Sequence, residues 1–293
     1  TVSYRSSEAN LCEPDIDNRL QRALNSHLHI VDSIKEVVER SEIVFVAVQT
    51  PSKPDNNFDT SYLIDAVKEI GRESQNVQKR LVVAIISTVL PRTMRTEVAP
   101  ALQRASRKII GKNIGLCYNA FFIAMGTVIE DFYHPEFILI GESDSESGRI
   151  LEEFYELIIA KNVPKLHMTW ENAEIVKMAY NTMIGFKIIY ANTLMEMCHK
   201  IPTADINVVY NALSKAHLRI TSPAYLRGGM GDGGPCHPRD NLALSWLSEK
   251  LPLSTNPFHY IMEARKAQTE WLANLAISYD LPIVIMGIRY KAN

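Results

Sequence analysis

Cysteine is scarce in this chain, with four in 293 residues, at positions 12, 117, 198 and 236, spaced neither as metal-ligand pairs nor as a dense disulfide framework. That excludes a small disulfide-stapled domain and a cysteine metal cluster, and implies a reducing, cytoplasmic setting. An excess of one charge is lacking as well: the formal net charge is −2. Nucleic acid and an anionic membrane are thereby disfavoured as main partners, while a local basic pocket for phosphate stays open. No apolar run reaches membrane-spanning length, and no signal peptide is visible. No strand with a Gly-x-Gly-x-x-Gly turn precedes residue 40. What is present, 46% apolar and 22% charged residues, describes an ordinary globular protein of about two domains.

After a polar start, Glu13-Pro14-Asp15 opens a helical pattern over Ile16 to Leu28, and a second covers Ser33 to Arg40. Ile43 to Val48 and Leu81 to Ile86 are continuous apolar runs of strand length, with a helical stretch from Tyr62 to Ser74 between them. Runs buried on both faces and linked by helices imply a parallel α/β sheet. Further strands are expected at Ile114 to Tyr118 and Glu136 to Gly141, and the first domain is expected to close near residue 165. Ligands of such sheets sit beyond the carboxyl ends of the strands. Here those ends read Gln49-Thr50-Pro51 and Ser87-Thr88-Val89. Their hydroxyls and free backbone amides suit a dinucleotide, although Thr50 and Thr88 would equally cap turns. Sheets of this kind normally bind pyrophosphate at a first glycine turn, so the chain is expected to begin after that element.

Residues 171–200 contain no proline and predict one helix of about 30 residues, ~45 Å long. Its apolar residues are spread widely around it, which implies burial between domains or against a second subunit, hence a homodimer. Lys177 and Asn181 lie four apart on this helix among Ile175, Val176, Met178, Ala179 and Met183. Either they form a polar pair aimed into a cleft, the ammonium stabilising a developing alkoxide, or Lys177 snorkels to solvent with Asn181 beside it. Further helices are expected over Thr203 to Ser214, Asp240 to Lys250 and 257–278, and Pro282 to Gly287 reads as a strand opening a second α/β domain that the chain does not complete.

Residues 228–240 hold five of the 13 glycines together with Pro235, Cys236 and Pro238. Glycine permits close backbone approach to a ligand, and the prolines stiffen both sides of the thiol, so the loop is built to present Cys236. Gly229-x-Gly231-x-x-Gly234 lacks the preceding strand that a dinucleotide fingerprint needs. A thiol feeding a helix start near Arg239 has reasons for a lowered pKa and nucleophilic character. His237 is adjacent in sequence and diverges from it, which argues against a Cys–His hydrolase, and no further ligands stand at spacing suited to a metal.

Taken together these stretches resemble the nucleotide-sugar 6-dehydrogenases, the UDP-glucose and GDP-mannose dehydrogenase family. Ile43 to Pro51 looks like that family's strand ending in Thr-Pro, Ser87-Thr88-Val89 like its Ser-Thr-Val loop, Glu174 to Asn181 like its Glu-x-x-Lys-x-x-x-Asn helix, Gly228 to Asp240 like its cysteine loop, and Gly287 to Lys291 like its Gly-x-x-Phe-Lys turn. The resemblance implies three parts: a Rossmann-like NAD-binding domain over 1–165 whose first strand is missing, a central helical dimerisation domain over 166–276, and the start of a nucleotide-sugar domain at 277–293. It implies oxidation of the C6 alcohol of a nucleotide-linked hexose, most simply a UDP-hexose, to the acid with two NAD through a Cys thiohemiacetal and thioester. Cys236 would be the nucleophile, Lys177 and Asn181 the oxyanion stabilisers, and Asp240 the residue orienting Lys177 or activating water. Thr88 would position that water, and Thr50, Pro51, Ser87, Thr88 and Val89 would meet NAD. Tyr225, Leu226, Arg227 and Gly229 would line the sugar nucleotide, with Arg219 reaching it from the partner subunit and Lys291 touching its phosphates. The implied partners exclude nucleic acid and membrane, and no metal is implied.

Four positions depart from the pattern. Phe121 and Met125 stand where the family usually has glutamates, Arg239 stands for Lys, and His237 for an apolar residue. Loss of two acid/base candidates opens two alternatives: a two-electron alcohol dehydrogenase that stops at the carbonyl, and a catalytically silent sugar-nucleotide-binding subunit.

Overall fold

The computed structural model describes residues 13–55, 57–124, 126–222 and 236–284. Contacts divide the chain into two units, Thr1–Asn181 and Thr182–Asn293.

The first unit is built on a five-stranded sheet in the order β1 (Ile43–Val46), β2 (Leu81–Ile85), β3 (Ile114–Tyr118), β4 (Ile138–Glu142), β5 (Lys165–Met168). The first three strands are parallel, as their all-apolar sequences require once both faces are covered. Alternate residues separate the two cores. Leu81, Val83, Ile85, Leu116 and Tyr118 pack beneath α2 (Ile34–Arg40), α3 (Ser61–Ser74) and α4 (Ala99–Ser106), while Val82, Ala84, Cys117 and Ile140 pack against Leu151 and Tyr155 of α6 (Ser145–Glu156). A short helix α1 (Ile16–Leu24) precedes them, and α5 (Val128–Tyr133) lies between β3 and β4.

The sheet departs from the expected parallel arrangement at one seam. β3 and β4 pair antiparallel at Cys117 with Glu142 and Tyr118 with Gly141, and β5 then runs parallel to β4. The short α5 is the only helix between β3 and β4 among the described residues, so the intervening chain turns back instead of making a helical crossover. Side chains stitch this seam. Leu116 N–H donates to Ser143 Oγ at 3.1 Å, Asn119 Nδ2 donates to the Leu139 carbonyl at 2.8 Å, and Trp170 Nε1 donates to the Leu116 carbonyl at 3.1 Å.

Helix α7 (Trp170–Lys200) matches the long proline-free helix expected from the sequence. Within the first unit its start lies tightly on the sheet: a Cβ on Gly141 would sit 2.7 Å from that of Ala173, so only glycine admits the helix there. Because β5 runs opposite to β3, α7 starts beside the middle of β3, at Leu116, and its next turns reach the loop that follows β3, at Phe121. The antiparallel seam therefore allows one helix to pass along the sheet toward the carboxyl ends of β1 to β3.

The second unit contains the remainder of α7, α8 (Ile206–Leu213), α9 (Cys236–Lys250) and α10 (Pro257–Ile277). α9 and α10 pack together, and Phe258 is buried against Tyr190. Glu196 accepts from the amide and hydroxyl of Ser254 and from Lys200, and Asn256 donates to Ser245 Oγ at 3.1 Å, fixing the turn between α9 and α10. Residues 282–284, expected to begin a strand, form none, and 285–287 lie outside the described residues.

Candidate active site on the strand-end loops and the long helix

The carboxyl ends of β1 and β2 are joined by side chains that the sequence singles out. Ser87, buried, donates its Oγ to the Val48 carbonyl at 2.6 Å and accepts from the Val48 N–H at 3.0 Å. Thr50 Oγ1 donates to the Thr88 carbonyl at 2.7 Å. The two threonines are half-buried, Val89 is buried, and Gln49 and Pro51 are exposed. Bonding one loop to the other makes a shelf across two strand ends, lined by hydroxyls and small apolar groups. Residues 47–52 and 86–91 include no acidic side chain that would repel a phosphate. The absence of negative charge fits an anionic dinucleotide, while the hydroxyl protons of Ser87 and Thr50 are already given to the Val48 and Thr88 carbonyls.

Lys177 stands one turn above Ala173 on α7, and burial rather than snorkelling is its state. It is 8% exposed, its Nζ donates to the Phe121 carbonyl at 2.6 Å, and the ammonium lies 4.7 Å from the centre of the Phe122 ring. Burial lowers its pKa from the ordinary lysine value. The Phe122 ring is held by Phe137, at 4.9 Å between centroids, and by Tyr180, at 4.6 Å. Tyr180 in turn donates to Glu136 at 3.1 Å. Asn181, four residues beyond Lys177, is exposed.

Glu174, on the turn between Ala173 and Lys177, is fully buried and accepts two backbone N–H bonds, from Arg92 at 2.6 Å and Met94 at 2.7 Å. Burial raises its pKa, outweighing those two bonds, which favour the charged form. Sequence reasoning placed Glu174 in a motif without giving it work. The signal was there in a carboxylate set between Ala173 and the pair Ile175-Val176.

α9 is described from Cys236, so the helix expected from Asp240 reaches at least four residues earlier and takes in the thiol position, with Asp240 one turn along. The side chains of Cys236, His237, Arg239 and Asp240 lie outside the described part. Arg219 is exposed in the turn after α8. Tyr225, Leu226, Arg227, Gly229 and Lys291, expected to line the sugar nucleotide, lie outside the described residues, as does Met125. Cys117 is fully buried, and desolvation pushes its thiol pKa up, which leaves it inert.

A parallel βαβ core with a polar shelf on its strand ends defines a Rossmann-type nucleotide-binding domain. Residues 2–159 match the family described as "UDP-glucose/GDP-mannose dehydrogenase family, NAD binding domain", and residues 171–267 match that family's central domain. Among relatives, the GDP-mannose 6-dehydrogenase of Pseudomonas aeruginosa is 30% identical over 96% of this chain and 64% of its own length. The UDP-glucose 6-dehydrogenase of Rickettsia typhi is 29% identical over 96% of this chain and 63% of its own. The crystal structure of a ternary complex of the Pseudomonas aeruginosa GDP-mannose dehydrogenase superposes with a TM-score of 0.88 at 28% identity, covering 94% of this chain and 62% of that one. The chain belongs to the UDP-glucose/GDP-mannose dehydrogenase family and carries its NAD-binding and central domains; it spans 64% of the length of that curated relative. No helix among the described residues is long and apolar enough to cross a membrane.

Proposed function

We propose that this chain performs the NAD-dependent oxidation of the C6 alcohol of a nucleotide-linked hexose to the acid. The observation that carries this reading is Lys177, a lysine buried at the strand-end loops of a nucleotide-binding sheet, with its amine held by a carbonyl and an aromatic face. A cation in that position offers preorganised stabilisation to an alkoxide.

NAD, when bound, accepts the hydride. The rest falls to the chain. Ser87 and Thr50 hold the shelf in shape, and Thr88 and Val89, with Pro51, meet the nicotinamide side of the cofactor. Lys177 and Asn181 balance the negative oxygen on C6 each time it forms. Cys236, as thiolate, adds to the aldehyde to give a thiohemiacetal. Transfer of a second hydride to a second NAD would leave a thioester, which water would cleave with help from Asp240 and Thr88, releasing the acid and the Cys236 thiol. Tyr225, Leu226, Arg227, Gly229 and Lys291 line the sugar nucleotide, most simply a UDP-hexose, and Arg219 reaches it from a partner subunit. In this organisation 1–165 binds NAD, 166–276 carries catalysis and dimerisation, and 277–293 opens a nucleotide-sugar domain.

Homodimerisation through α7 is supported by the exposure of Met183, Ile184, Phe186, Ile189 and Tyr190 around its middle, which no solvated helix face would favour. A monomeric mass by light scattering of the full-length protein would remove it. A reduced Cys236 also requires the reducing, cytoplasmic setting expected from the sparse cysteines.

The test is to incubate full-length protein with NAD and UDP-, GDP- and dTDP-hexoses, count NADH per sugar and identify the product by mass spectrometry. Two NADH and a uronic acid are expected. One NADH with a carbonyl product would establish the two-electron alternative, which the replacement of both glutamates by Phe121 and Met125 motivates. Binding without turnover would establish the silent subunit.

A further inference from the structure

Glu174 poses a problem of cost. A fully buried carboxylate on the apolar side of a helix is expensive unless its bonds return something, and here both bonds come from main chain instead of a cation. The receiving segment is itself unusual. Arg92 has φ 81°, a left-handed conformation that is unfavourable for a residue with a Cβ, and its amide is one of the two that Glu174 holds. Met94, the second donor, opens the helical turn Met94–Val98.

Between these bonds and the sheet lies the cofactor shelf. Its near end is fixed by Ser87 to Val48 and by Thr50 to the Thr88 carbonyl. At its far end Glu174 accepts from the amides of Arg92 and Met94, Thr96 Oγ1 donates to the Arg92 carbonyl at 3.0 Å, and Arg95 pairs with Glu171 at the start of α7. One helical turn further along α7, Lys177 is fixed to the loop after β3. The first turns of α7 therefore hold two strand-end loops, one through the buried Glu174 and the more exposed Glu171–Arg95 pair, the other through the Lys177 amine.

We propose that Glu174 is a positioning residue: it sets residues 88–91, and with them the nicotinamide, at a fixed distance from Lys177, so that the hydride acceptor and the oxygen stabilised by Lys177 come into register. This rests on the dehydrogenase reading above. The carboxylate is needed because both partners are N–H donors. A glutamine would offer one oxygen and turn an NH2 against the second amide.

The experiment uses the full-length protein and its Glu174→Gln variant, with Glu174→Asp read in the same way should the glutamine variant not melt cooperatively. The measurements are amide exchange at Arg92 and Met94, the NAD dissociation constant by fluorescence titration, and kcat and KM for the sugar nucleotide. Expected are faster exchange at both amides, weaker NAD binding and a kcat lowered by at least about tenfold, with KM for the sugar nucleotide within about twofold of wild type. Adding Arg92→Gly to Glu174→Gln should return part of the kcat, because glycine holds φ 81° without the clamp. A loss that is only structural would move stability and active fraction but leave NAD affinity per folded molecule unchanged. Faster exchange at Arg92 and Met94 with NAD affinity and kcat unchanged would overturn the proposal. Wild-type protein that binds NAD but oxidises no sugar nucleotide would sink the functional reading instead, and the NAD titration would still decide the role of Glu174.

Discussion

Lys177 donates its Nζ to the backbone carbonyl of Phe121 at 2.6 Å, so the cation is oriented by main chain that no substitution of Phe121 can remove. The contact binds α7 to the loop after β3 and leaves the remaining amine hydrogens for a ligand.

The first expectation concerns pH. Burial lowers the Lys177 pKa below the 10.5 of an unperturbed lysine. The ammonium exists below that lowered pKa and is lost as pH rises through it. If the cation is the working form, kcat/KM falls on the alkaline side at a pH below 10.5. Lys177→Arg keeps charge, abolishes that limb and lowers kcat, since guanidinium does not fit the same carbonyl and ring. A limb that persists in the arginine variant would assign it to another group.

His167 on β5 supplies a pH dependence of stability. Its Nδ1 meets Glu142 at 2.6 Å and its Nε2 meets Glu152 at 3.1 Å. Burial pulls the imidazole pKa down, but the two carboxylates outweigh it and the net shift is upward from 6.5. The stabilisation is thus complete below 6.5 and disappears as pH rises through the raised value. The melting temperature should decline across that window, and His167→Gln should flatten the decline. An unchanged slope in the variant would refute the assignment.

Arg92→Gly should stabilise the protein by about 1 kcal/mol, since the backbone at φ 81° is held against its Cβ. Denaturant unfolding measures it, and a destabilised variant would show that the arginine side chain contributes more than its backbone costs.

Gly141→Ala tests the approach of α7 to the sheet. The new methyl would lie 2.7 Å from Ala173 Cβ and 3.3 Å from Trp170 Cα. Relief requires the helix to move, at a cost of about 1–3 kcal/mol. The same displacement would carry Glu174 and Lys177 off their loops, so kcat should drop even in molecules that remain folded; full activity in such molecules would argue that the site tolerates helix movement.

The strands legible in the sequence were those buried on both faces. Ile43–Val46, Leu81–Ile85 and Ile114–Tyr118 are apolar throughout because helices cover both sides of the sheet. β5, Lys165–Met168, escaped notice because Lys165 and His167 break any apolar run, and the strand is only partly covered. The reversal at β4 was invisible for another reason: apolar content reports burial, not direction. The long helix and Lys177 were readable from spacing and composition. Glu174 as a clamp was not, because its partners are main-chain amides at Arg92 and Met94, about 80 residues earlier in the chain, and backbone donors carry no side-chain signature. The left-handed φ of Arg92 was hidden for the same reason.

The β3–β4 seam gives the sheet a grain. On either side of it, strands are zipped by longer parallel ladders, whereas across it the backbone pairing of the described residues is confined to Leu116–Tyr118 against Gly141–Ser143, and Ser143, Asn119 and Trp170 act as rivets. Under load, or in a partial opening, the sheet should tear along this line, shedding β4 and β5 as one ribbon and leaving β1 to β3, with the loops bonded by Ser87 and Thr50, as the other.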